Sequence, residues 1–389
     1  MARRNDPPPP GVLPPRRILV RGVNWLGDAV MTTPALLRLR EAQPQAHLTL
    51  LTHEKLAELW RHHPAINQVL TFSARDGVLA VGRRLRGERF GTALLFPNSP
   101  RSALELWLAR IPRRIGGAWP WRNWLLTDVI HPRRGEIKMR KRSVAEVRRL
   151  VRVTAGTGEP ADTPGLEPQT LNFDPAVHQL HHYLHLAAVL GASREPIAPR
   201  LQVLAGELEA VRQQFQLTPN LRWLGLNAGA EYGPAKRWPV EKFIAVAREA
   251  AAWPGWGIAL FGGRGDLPIV GALTAALRPP SSALRNLAGR TSLRGLCAAL
   301  RCCDVLLTND TGPMHLAAAV GTPVVALFGS TSPELTAPGL PGDRHHRILK
   351  ARVPCAPCYL RECPIDFRCM SSLTVGEVLE AIGGVSPTG

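Results

Sequence analysis

The chain has 389 residues, 45% of them hydrophobic, and is long enough for two domains that each bury a core. Its 48 basic and 30 acidic side chains give a formal net charge of +18, which favours an anionic partner: nucleic acid, an anionic membrane surface or a phosphorylated substrate. Charges and prolines interrupt every apolar run before it reaches the length of a membrane span. Residues 1–15 are rich in proline and lack an apolar signal core, so we expect a disordered tail and no secretory signal.

Short strand-like runs alternate with helical stretches from residue 16 to about residue 130. This pattern begins with a strand at 17–20 and a helix at 29–40, and it predicts a lobe with a parallel sheet. It fails between about 136 and 175, where a basic stretch becomes rich in Thr, Pro and Gly. We interpret this stretch as an insertion with one basic helix.

The loop at 227–238 follows a predicted strand at 223–226 and leads into a helix predicted at 240–251. It reads Asn-Ala-Gly-Ala-Glu-Tyr-Gly-Pro-Ala-Lys-Arg-Trp. The free N–H groups at a helix N-terminus, together with Lys236 and Arg237, suit an anion such as a diphosphate. Its glycine spacing matches neither the Walker loop nor the dinucleotide-binding fingerprint. A glycine turn with solvated basic residues is the alternative interpretation.

A second loop, Thr-Asn-Asp-Thr-Gly-Pro-Met-His at 308–315, follows a short apolar strand at 305–307. Asn, Asp and Thr are helix-capping types, and proline suits the first turn of a helix. His315 is expected in that first turn, facing the same crevice as the cap residues. A plain cap at Asp310 and a hydrogen-bonded structural histidine are the alternatives.

Two doubly wound lobes joined by one connector predict a cleft between them. In open α/β sheets ligands bind beyond the carboxyl ends of the strands. The loops at 22–28, 227–238, 262–266 and 308–315 all follow predicted strands, so we expect one shared site. The predicted organisation is a tail at 1–15, an N-terminal lobe at 16–197 with the basic insertion, a connector at 198–219 and a C-terminal lobe at 220–389.

Seven cysteines are distributed unevenly along the chain. Cys297, Cys302 and Cys303 lie in an apolar helical stretch and are expected to be buried. The other four are close enough in sequence to hold a structural zinc, although their spacing differs from that of common zinc ribbons. Reduced thiols or a redox-labile cluster are the alternatives. These four cysteines are Cys355, Cys358, Cys363 and Cys369.

At these motifs the chain resembles the heptosyltransferases of glycosyltransferase family 9. Such enzymes have the α/β GT-B fold, in which two doubly wound Rossmann-like lobes face each other across a cleft. The resemblance covers most of both predicted lobes, in order. It is carried by the segments 25–28, 97–99, 229–238, 260–262, 286–289 and 308–315.

The resemblance implies transfer of heptose, with inversion, from ADP-L-glycero-D-manno-heptose to heptosyl-Kdo2-lipid A of the lipopolysaccharide core. First-heptose transfer or transfer of another core sugar stays open. It implies no required cofactor. Asp28 would be the base for the acceptor hydroxyl, with a helix cap as the alternative, and Lys236 would neutralise the departing diphosphate. The donor contacts implied in this way are Gly233, Lys236, Asp266, Asp310, Thr311, Gly312 and His315.

The same resemblance gives the basic residues a specific meaning. The acceptor would be a phosphorylated lipid at the inner membrane, and a basic first lobe would draw a cytoplasmic enzyme to that surface. We therefore expect peripheral association with the cytoplasmic face of the inner membrane. The candidate acceptor contacts are Asn24, Asn98, Arg101, Arg113 and Arg114, together with the basic stretch at 131–152.

Two other classes of function fit less well. A nucleic-acid-binding protein is suggested by the charge, but the sequence contains no recognised module, and its aromatic residues do not interleave with the basic run. We therefore expect no nucleic-acid partner. A two-lobed solute-binding protein is disfavoured by the expected lack of a secretory signal.

Overall fold

The structure is a computed structural model that describes residues 16–137, 139–156, 175–277 and 283–385. The predicted tail at 1–15 and residues 157–174 of the predicted insertion lie outside the described residues. In the described part of the chain, no helix is both long and apolar enough to cross a membrane.

Six strands of the N-terminal half form one parallel sheet. They are β1 (Arg17–Arg21), β2 (His47–His53), β3 (Gln68–Phe72), β4 (Thr92–Leu95), β5 (Arg113–Gly117) and β6 (Asp128–Ile130). Their order is β3-β2-β1-β4-β5-β6, and every neighbouring pair is parallel. This is the doubly wound order, in which the direction of winding reverses beside the first strand. The prediction lacked β6, because three half-buried residues carry little periodicity.

Helices connect these strands and continue beyond them. They are α1 (Leu26–Met31), α2 (Thr33–Ala42), α3 (Val78–Gly87), α4 (Pro100–Leu108), α5 (Val144–Gly156) and α6 (Leu180–Ala187). The single helix predicted at 29–40 was wrong, since α1 and α2 are separated at Thr32. The Thr32 hydroxyl donates to the Ala29 carbonyl at 2.7 Å and that of Thr33 to the Val30 carbonyl at 2.8 Å. Such local bonds compete with the helical pattern.

The second sheet repeats the same topology. Its strands are β7 (Arg222–Asn227), β8 (Trp256–Phe261), β9 (Leu284–Asn286), β10 (Val305–Asn309), β11 (Val324–Phe328) and β12 (Arg347–Lys350). They are parallel in the order β12-β11-β10-β7-β8-β9. The winding reverses between β7 and β10, whose carboxyl ends carry the loops at 227–238 and 308–315. The Asn227 amide donates to the Thr308 hydroxyl across this pair at 3.0 Å.

The remaining helices surround the second sheet or lie near the end of the chain. They are α7 (Ala205–Phe215), α8 (Val240–Ala251), α9 (Leu267–Ala276), α10 (Leu293–Arg301), α11 (Gly312–Ala319), α12 (Pro333–Thr336), α13 (Arg368–Ser371) and α14 (Val375–Gly383). The helix predicted at 240–251 is confirmed as α8, with Pro239 at its N-cap. Helix α14 begins with a capping box, in which the backbone N–H groups of Thr374 and Glu377 each donate to the other residue's side chain.

The contacts within the chain divide it into two compact units. Of the described residues, the first unit contains those up to Asn24, Pro34–Arg133 and His182–Glu195; the second contains Trp25–Thr33, those from Arg134 to His181 and those from Pro196 onward. The prediction had assigned 25–33 and the basic insertion to the N-terminal lobe. In the structure Val147 of α5 is buried in the core of the second sheet, with Phe243 and Leu307, so α5 groups with the second unit. Two doubly wound parallel sheets confirm the predicted α/β class.

Candidate active site

Helix α1 packs closely on helix α11 through two glycines. A Cβ added at Gly27 would lie 2.7 Å from Cδ2 of His315, and one added at Gly312 would lie 2.8 Å from Cδ2 of Leu26. Cβ contacts this short are essentially absent from real structures, so a larger residue at either position would force its neighbour to move. The motifs at 25–28 and 308–315, which are far apart in the sequence, therefore meet in the second unit.

Asp28 lies in the first turn of α1, where Lys236 and Asp310 act on it electrostatically. Burial raises the pKa of Asp28 to about 6, against the pull of Lys236 and with a smaller push from the Asp310 carboxylate. Above pH 6 the carboxylate is mostly ionised, yet it is poorly solvated and has a higher proton affinity than a surface aspartate. These are the properties of a general base that works near neutral pH.

The ammonium group of Lys236 is held by Asp310. Its Nζ donates to Oδ2 of Asp310 at 2.7 Å and to the backbone oxygen of the same residue at 3.3 Å. The Tyr232 ring centroid lies 5.1 Å from Nζ, within the range of a cation–π contact. Oδ2 of Asp310 also accepts from the Thr331 hydroxyl at 2.6 Å. The lysine is therefore oriented rather than free to move through solvent.

His315 lies in the first turn of α11, as predicted, and is buried. Burial lowers the pKa of His315 to about 4, although the Asp310 carboxylate opposes this shift. The imidazole is therefore neutral at neutral pH and contributes a hydrogen-bonding group rather than a charge. Asp28, Lys236, Asp310 and His315 thus form one interacting set around the N-terminus of α11, with Thr311 as its N-cap and Gly312 as its first residue.

The loop at 227–238 is tied to the strand beside it by Asn309. The Trp238 backbone N–H donates to Oδ1 of Asn309 at 3.0 Å, and Nδ2 of Asn309 donates to the Ala228 carbonyl at 2.9 Å. The prediction had grouped Asn309 only among helix-capping types. Its buried amide instead sets the position of the loop that carries Lys236.

Gly233 has a positive φ of 155°, and a Cβ there would lie 2.5 Å from the Arg361 backbone oxygen. The same oxygen accepts from the Ala235 N–H at 3.0 Å, and Nε of Arg361 donates to the Tyr232 carbonyl at 2.6 Å. The Tyr232 hydroxyl donates to the Tyr359 carbonyl at 2.8 Å. The cysteine-rich segment therefore supports the lysine loop directly, a role that its sequence did not suggest.

The cysteines themselves do not form a metal site in the described residues. No group of three or more His, Cys, Asp or Glu side chains in that part of the chain is arranged to hold a metal ion. Burial raises the pKa values of the Cys355 and Cys358 thiols, and that of Cys369 to about 12. The zinc interpretation therefore has no geometric support and stays a prediction. Of the other three cysteines, Cys297 and Cys303 are buried as expected, whereas Cys302 is only half-buried, so the prediction for Cys302 was wrong.

Asp266 lies beside the lysine loop, but its carboxylate has local partners. Its Oδ2 accepts from the Gly263 N–H at 3.0 Å, and its Oδ1 lies 3.9 Å from Nη2 of Arg237. A Cβ added at Gly229 would lie 2.2 Å from Cγ of Asp266. This carboxylate therefore shapes the start of the loop at 227–238, at the carboxyl ends of β7 and β8.

Three predicted acceptor contacts lie at the carboxyl ends of strands in the first unit. Asn24 is exposed just after β1, and Asn98 follows β4. Arg101 lies in the first turn of α4, and its Nε donates to Oε1 of Glu105 at 3.2 Å. Oδ1 of Asn98 accepts from Arg122 at 3.3 Å.

The other two predicted acceptor contacts occupy the opposite end of that sheet. Arg113 and Arg114 begin β5, so they lie at its amino end. Arg113 pairs with Asp128 at 3.0 Å, and Nε of Arg114 donates to the Leu125 carbonyl at 2.7 Å. Both arginines therefore stabilise the amino end of β5. Their positions do not support an acceptor contact beside Asn24 and Asn98.

Sequence reasoning missed Arg122, which is fully buried at the carboxyl ends of β4 and β5. Its guanidinium donates to the Pro97 carbonyl at 2.6 Å, to the Gly117 carbonyl at 2.5 Å and to Asn98. Burial lowers the pKa of Arg122 to about 10, so it remains charged at neutral pH. Arg122 lies in the sequence Trp-Pro-Trp-Arg-Asn-Trp at 119–124, and nothing in this local pattern indicates that the arginine is buried.

Comparison with known proteins identifies relatives over most of the chain. Residues 168–367 match the model of "Glycosyltransferase family 9 (heptosyltransferase)". Lipopolysaccharide heptosyltransferase 2 of Escherichia coli (strain K12) is 31% identical over 336 residues, which are 83% of this chain and 85% of that protein. Lipopolysaccharide heptosyltransferase 1 of Pseudomonas aeruginosa is 26% identical over 348 residues, 89% of this chain and 87% of that protein.

The fold is also similar to that of a solved relative. The structure of E. coli ADP-heptose lipopolysaccharide heptosyltransferase II matches with a TM-score of 0.72 and 27% identity. The match covers 95% of this chain and 98% of that one. Both doubly wound sheets therefore lie within the matched region.

Proposed function

Because the chain belongs to glycosyltransferase family 9, the heptosyltransferases, we propose that it transfers heptose from ADP-L-glycero-D-manno-heptose to heptosyl-Kdo2-lipid A of the lipopolysaccharide core. The observation that carries the proposal is the set formed by Asp28, Lys236, Asp310 and His315. It combines a carboxylate of raised pKa, an oriented cation and a helix N-terminus in one unit. Inverting transfer from a sugar diphosphate to a hydroxyl uses a base for the hydroxyl and positive charge or dipoles for the leaving diphosphate, which these three elements supply.

In this proposal Asp28 is the general base. The acceptor hydroxyl oxygen attacks the anomeric carbon of the heptose from the face opposite the diphosphate. The new carbon–oxygen bond forms as the bond from the anomeric carbon to the β-phosphate oxygen breaks, and the hydroxyl proton passes to the Asp28 carboxylate. With a pKa raised to about 6, the carboxylate is available to accept a proton at neutral pH.

The leaving ADP gains negative charge at its β-phosphate as the bond breaks. Lys236 supplies a fixed cation for that charge, and the free N–H groups at the start of α11 supply dipoles of the same sign. Asp310 keeps the ammonium in place before the donor binds. We assign Thr311, Gly312 and His315 to the same donor contact, and Gly233 and Asp266 to the shape of the adjoining loops.

On the acceptor side we propose contacts from Asn24, Asn98 and Arg101. All three follow carboxyl ends of strands in the first sheet, where ligands of doubly wound folds bind. Arg101 offers a guanidinium suited to a phosphate or carboxylate of the acceptor. Arg113 and Arg114 are not part of this proposal, because they lie at the other end of β5.

Because the proposed acceptor is a lipid, we propose that the protein associates peripherally with the cytoplasmic face of the inner membrane. Helix α5 supports this, since its arginines at 148, 149 and 152 are exposed while Val147 anchors the helix in the core of the second sheet. Exposed arginines near a bilayer are attracted to anionic lipid headgroups. We propose no nucleic-acid partner.

A second candidate is transfer of the first heptose, favoured by the 26% identity to the P. aeruginosa heptosyltransferase 1. The donor would be the same in both reactions. The two activities would therefore differ in which acceptor the first unit recognises.

The deciding experiment measures ADP release from ADP-heptose with two acceptors, Kdo2-lipid A with and without one heptose. We expect release with the heptosylated acceptor and little with the other. The reverse preference would make the chain a first-heptose enzyme. Tight ADP binding without release from either acceptor would reject heptose transfer to both. The D28N variant serves as the matched control for background hydrolysis.

A further inference from the structure

Four exposed tryptophans lie within eighteen residues of the first unit. Tryptophan is a large side chain that proteins bury at least in part, as Trp223 and Trp238 are buried here. A group of exposed apolar side chains marks a binding surface more often than scattered single residues do. We call this group the tryptophan surface: Trp107 (45% exposed), Trp119 (43%), Trp121 (89%) and Trp124 (69%).

The tryptophan surface lies on one face of the first sheet. Helix α4 connects β4 to β5, and residues 118–127 connect β5 to β6. Because these three strands are parallel neighbours, right-handed crossovers bring both connections to the same face. The rings of Trp107 and Trp124 accordingly meet edge to face, with centroids 6.3 Å apart.

The loop that carries the other two tryptophans has a defined backbone. The Trp119 N–H donates to Oδ1 of Asn123 at 2.9 Å, and the buried Arg122 fixes the chain from within. Trp121 has a φ of 65°, a left-handed conformation that is costly for a bulky side chain. The fold therefore holds an almost fully exposed tryptophan in an unfavourable backbone conformation, which indicates a use for the side chain.

One exposed arginine lies beside these tryptophans. Residues 101–124 contain five arginines and one acidic residue, the buried Glu105. Four of these arginines have partners within the fold: Arg101, Arg113, Arg114 and Arg122. Arg110, three residues after Trp107, is exposed. Exposed aromatic rings with an exposed arginine beside them suit a partner that has an apolar interior and an anionic surface.

We propose that the tryptophan surface docks on the interface of an anionic phospholipid bilayer. Tryptophan is enriched at membrane interfaces, where its ring lies at headgroup level, and arginine is attracted to anionic lipids. This inference rests on the proposed function, in which the acceptor is a membrane lipid. Trp121 precedes Arg122 in the sequence, and the Arg122 guanidinium donates to Asn98. The tryptophan surface therefore adjoins Asn98, which is a proposed acceptor contact.

The test measures binding of the full-length protein to vesicles of phosphatidylethanolamine with phosphatidylglycerol, and to vesicles of phosphatidylcholine alone. We expect preferential binding to the anionic vesicles. The double variant W121A/W124A should bind these vesicles at least about tenfold more weakly. It lacks the two large apolar side chains that the wild type would transfer from water into the membrane interface. The matched control L267A removes a side chain of the second unit that is 47% exposed and should bind like the wild type. Equal binding by the double variant would overturn the proposal.

Two further readouts separate this proposal from the proposed function. Brominated lipids should quench the tryptophan fluorescence of the wild type and quench that of the double variant less. Transfer to an acceptor in vesicles should fall in the double variant, while transfer to the same acceptor in detergent micelles stays near the wild-type rate. If the wild type transfers heptose to neither acceptor, the proposed function fails but the vesicle result stands. If the wild type self-associates through this surface and does not bind vesicles, the surface is a protein interface and the membrane proposal fails.

Discussion

The two units have the same strand order but use the carboxyl ends of their strands differently. In the second unit, Asp28, Lys236, Asp310 and His315 are placed where their charges act on one another. In the first unit the buried cation Arg122 bonds mainly to backbone carbonyls. The second unit therefore brings ionisable groups together at this end of its sheet. The first unit uses a buried arginine there to hold its loops in place.

Burial disfavours the charged form of both groups, since it raises the pKa of Asp28 to about 6 and lowers the pKa of Arg122 to about 10. The difference lies in how far each pKa is from neutral pH. Asp28 is close enough to its pKa to exchange a proton there. Arg122 stays charged and donates to the Pro97 and Gly117 carbonyls, which supports the fold. Two units with the same strand order therefore place different chemistry at the carboxyl ends of their strands.

The largest expected effect comes from removing the base. The D28N variant should lose about 10³-fold in kcat, since general base catalysis typically contributes about 10² to 10⁴. Binding of ADP should change little, because the donor contacts are untouched. Steady-state kinetics would measure kcat, and calorimetric titration with ADP would measure the binding affinity. Near-normal turnover would exclude Asp28 as the base.

The same variant should change the pH dependence of rate and of stability. In the wild type, kcat should fall about tenfold per pH unit below about 6, as the Asp28 carboxylate is protonated. The pKa is raised in the folded state, so the folded protein binds more protons than the unfolded chain between about 4 and 6. Stability from this group therefore declines as pH rises through that window. D28N lacks the decline, and above pH 6 thermal melting should show it to be at least as stable as the wild type.

A smaller effect is expected from the cation. K236A should weaken ADP binding and lower kcat/KM by about 10²-fold, as for the loss of one electrostatic contact to a transition state. The variant also leaves the buried Asp310 carboxylate without its cation. The double variant K236A/D310N should therefore recover thermal stability without recovering rate. Unchanged kinetics in K236A would contradict the diphosphate role.

The smallest effect on chemistry is expected in the first unit. R122Q should lower the free energy of unfolding by about 2 kcal/mol or more, since buried carbonyls lose their donor. It should raise the KM for the acceptor more than it lowers kcat. The matched control R113Q removes an exposed arginine paired with Asp128 and should cost less than about 1 kcal/mol. Urea denaturation of both variants measures the difference. If R122Q instead abolished kcat with a wild-type stability, the two units would not differ as described.

The sequence by itself determined most of the local structure and the position of the main loops. Apolar runs predicted most of the central strands, and capping residues and prolines predicted the helix that follows each reactive loop. Short or half-buried elements such as β6 and β9 were missed, because three residues carry too little periodicity. The family resemblance then supplied roles for Asp28 and Lys236, which local patterns alone left open between a catalytic role and a cap or solvated residue.

Tertiary structure alone decided which of these pieces belong together. The packing of Gly27 against His315 assigned α1 to the second unit, and the burial of Val147 did the same for α5. The support of the lysine loop by Arg361 and the burial of Arg122 also depend on residues distant in the chain. Sequence patterns record each residue's own helix or strand, whereas burial and pKa depend on neighbours that come together when the chain folds.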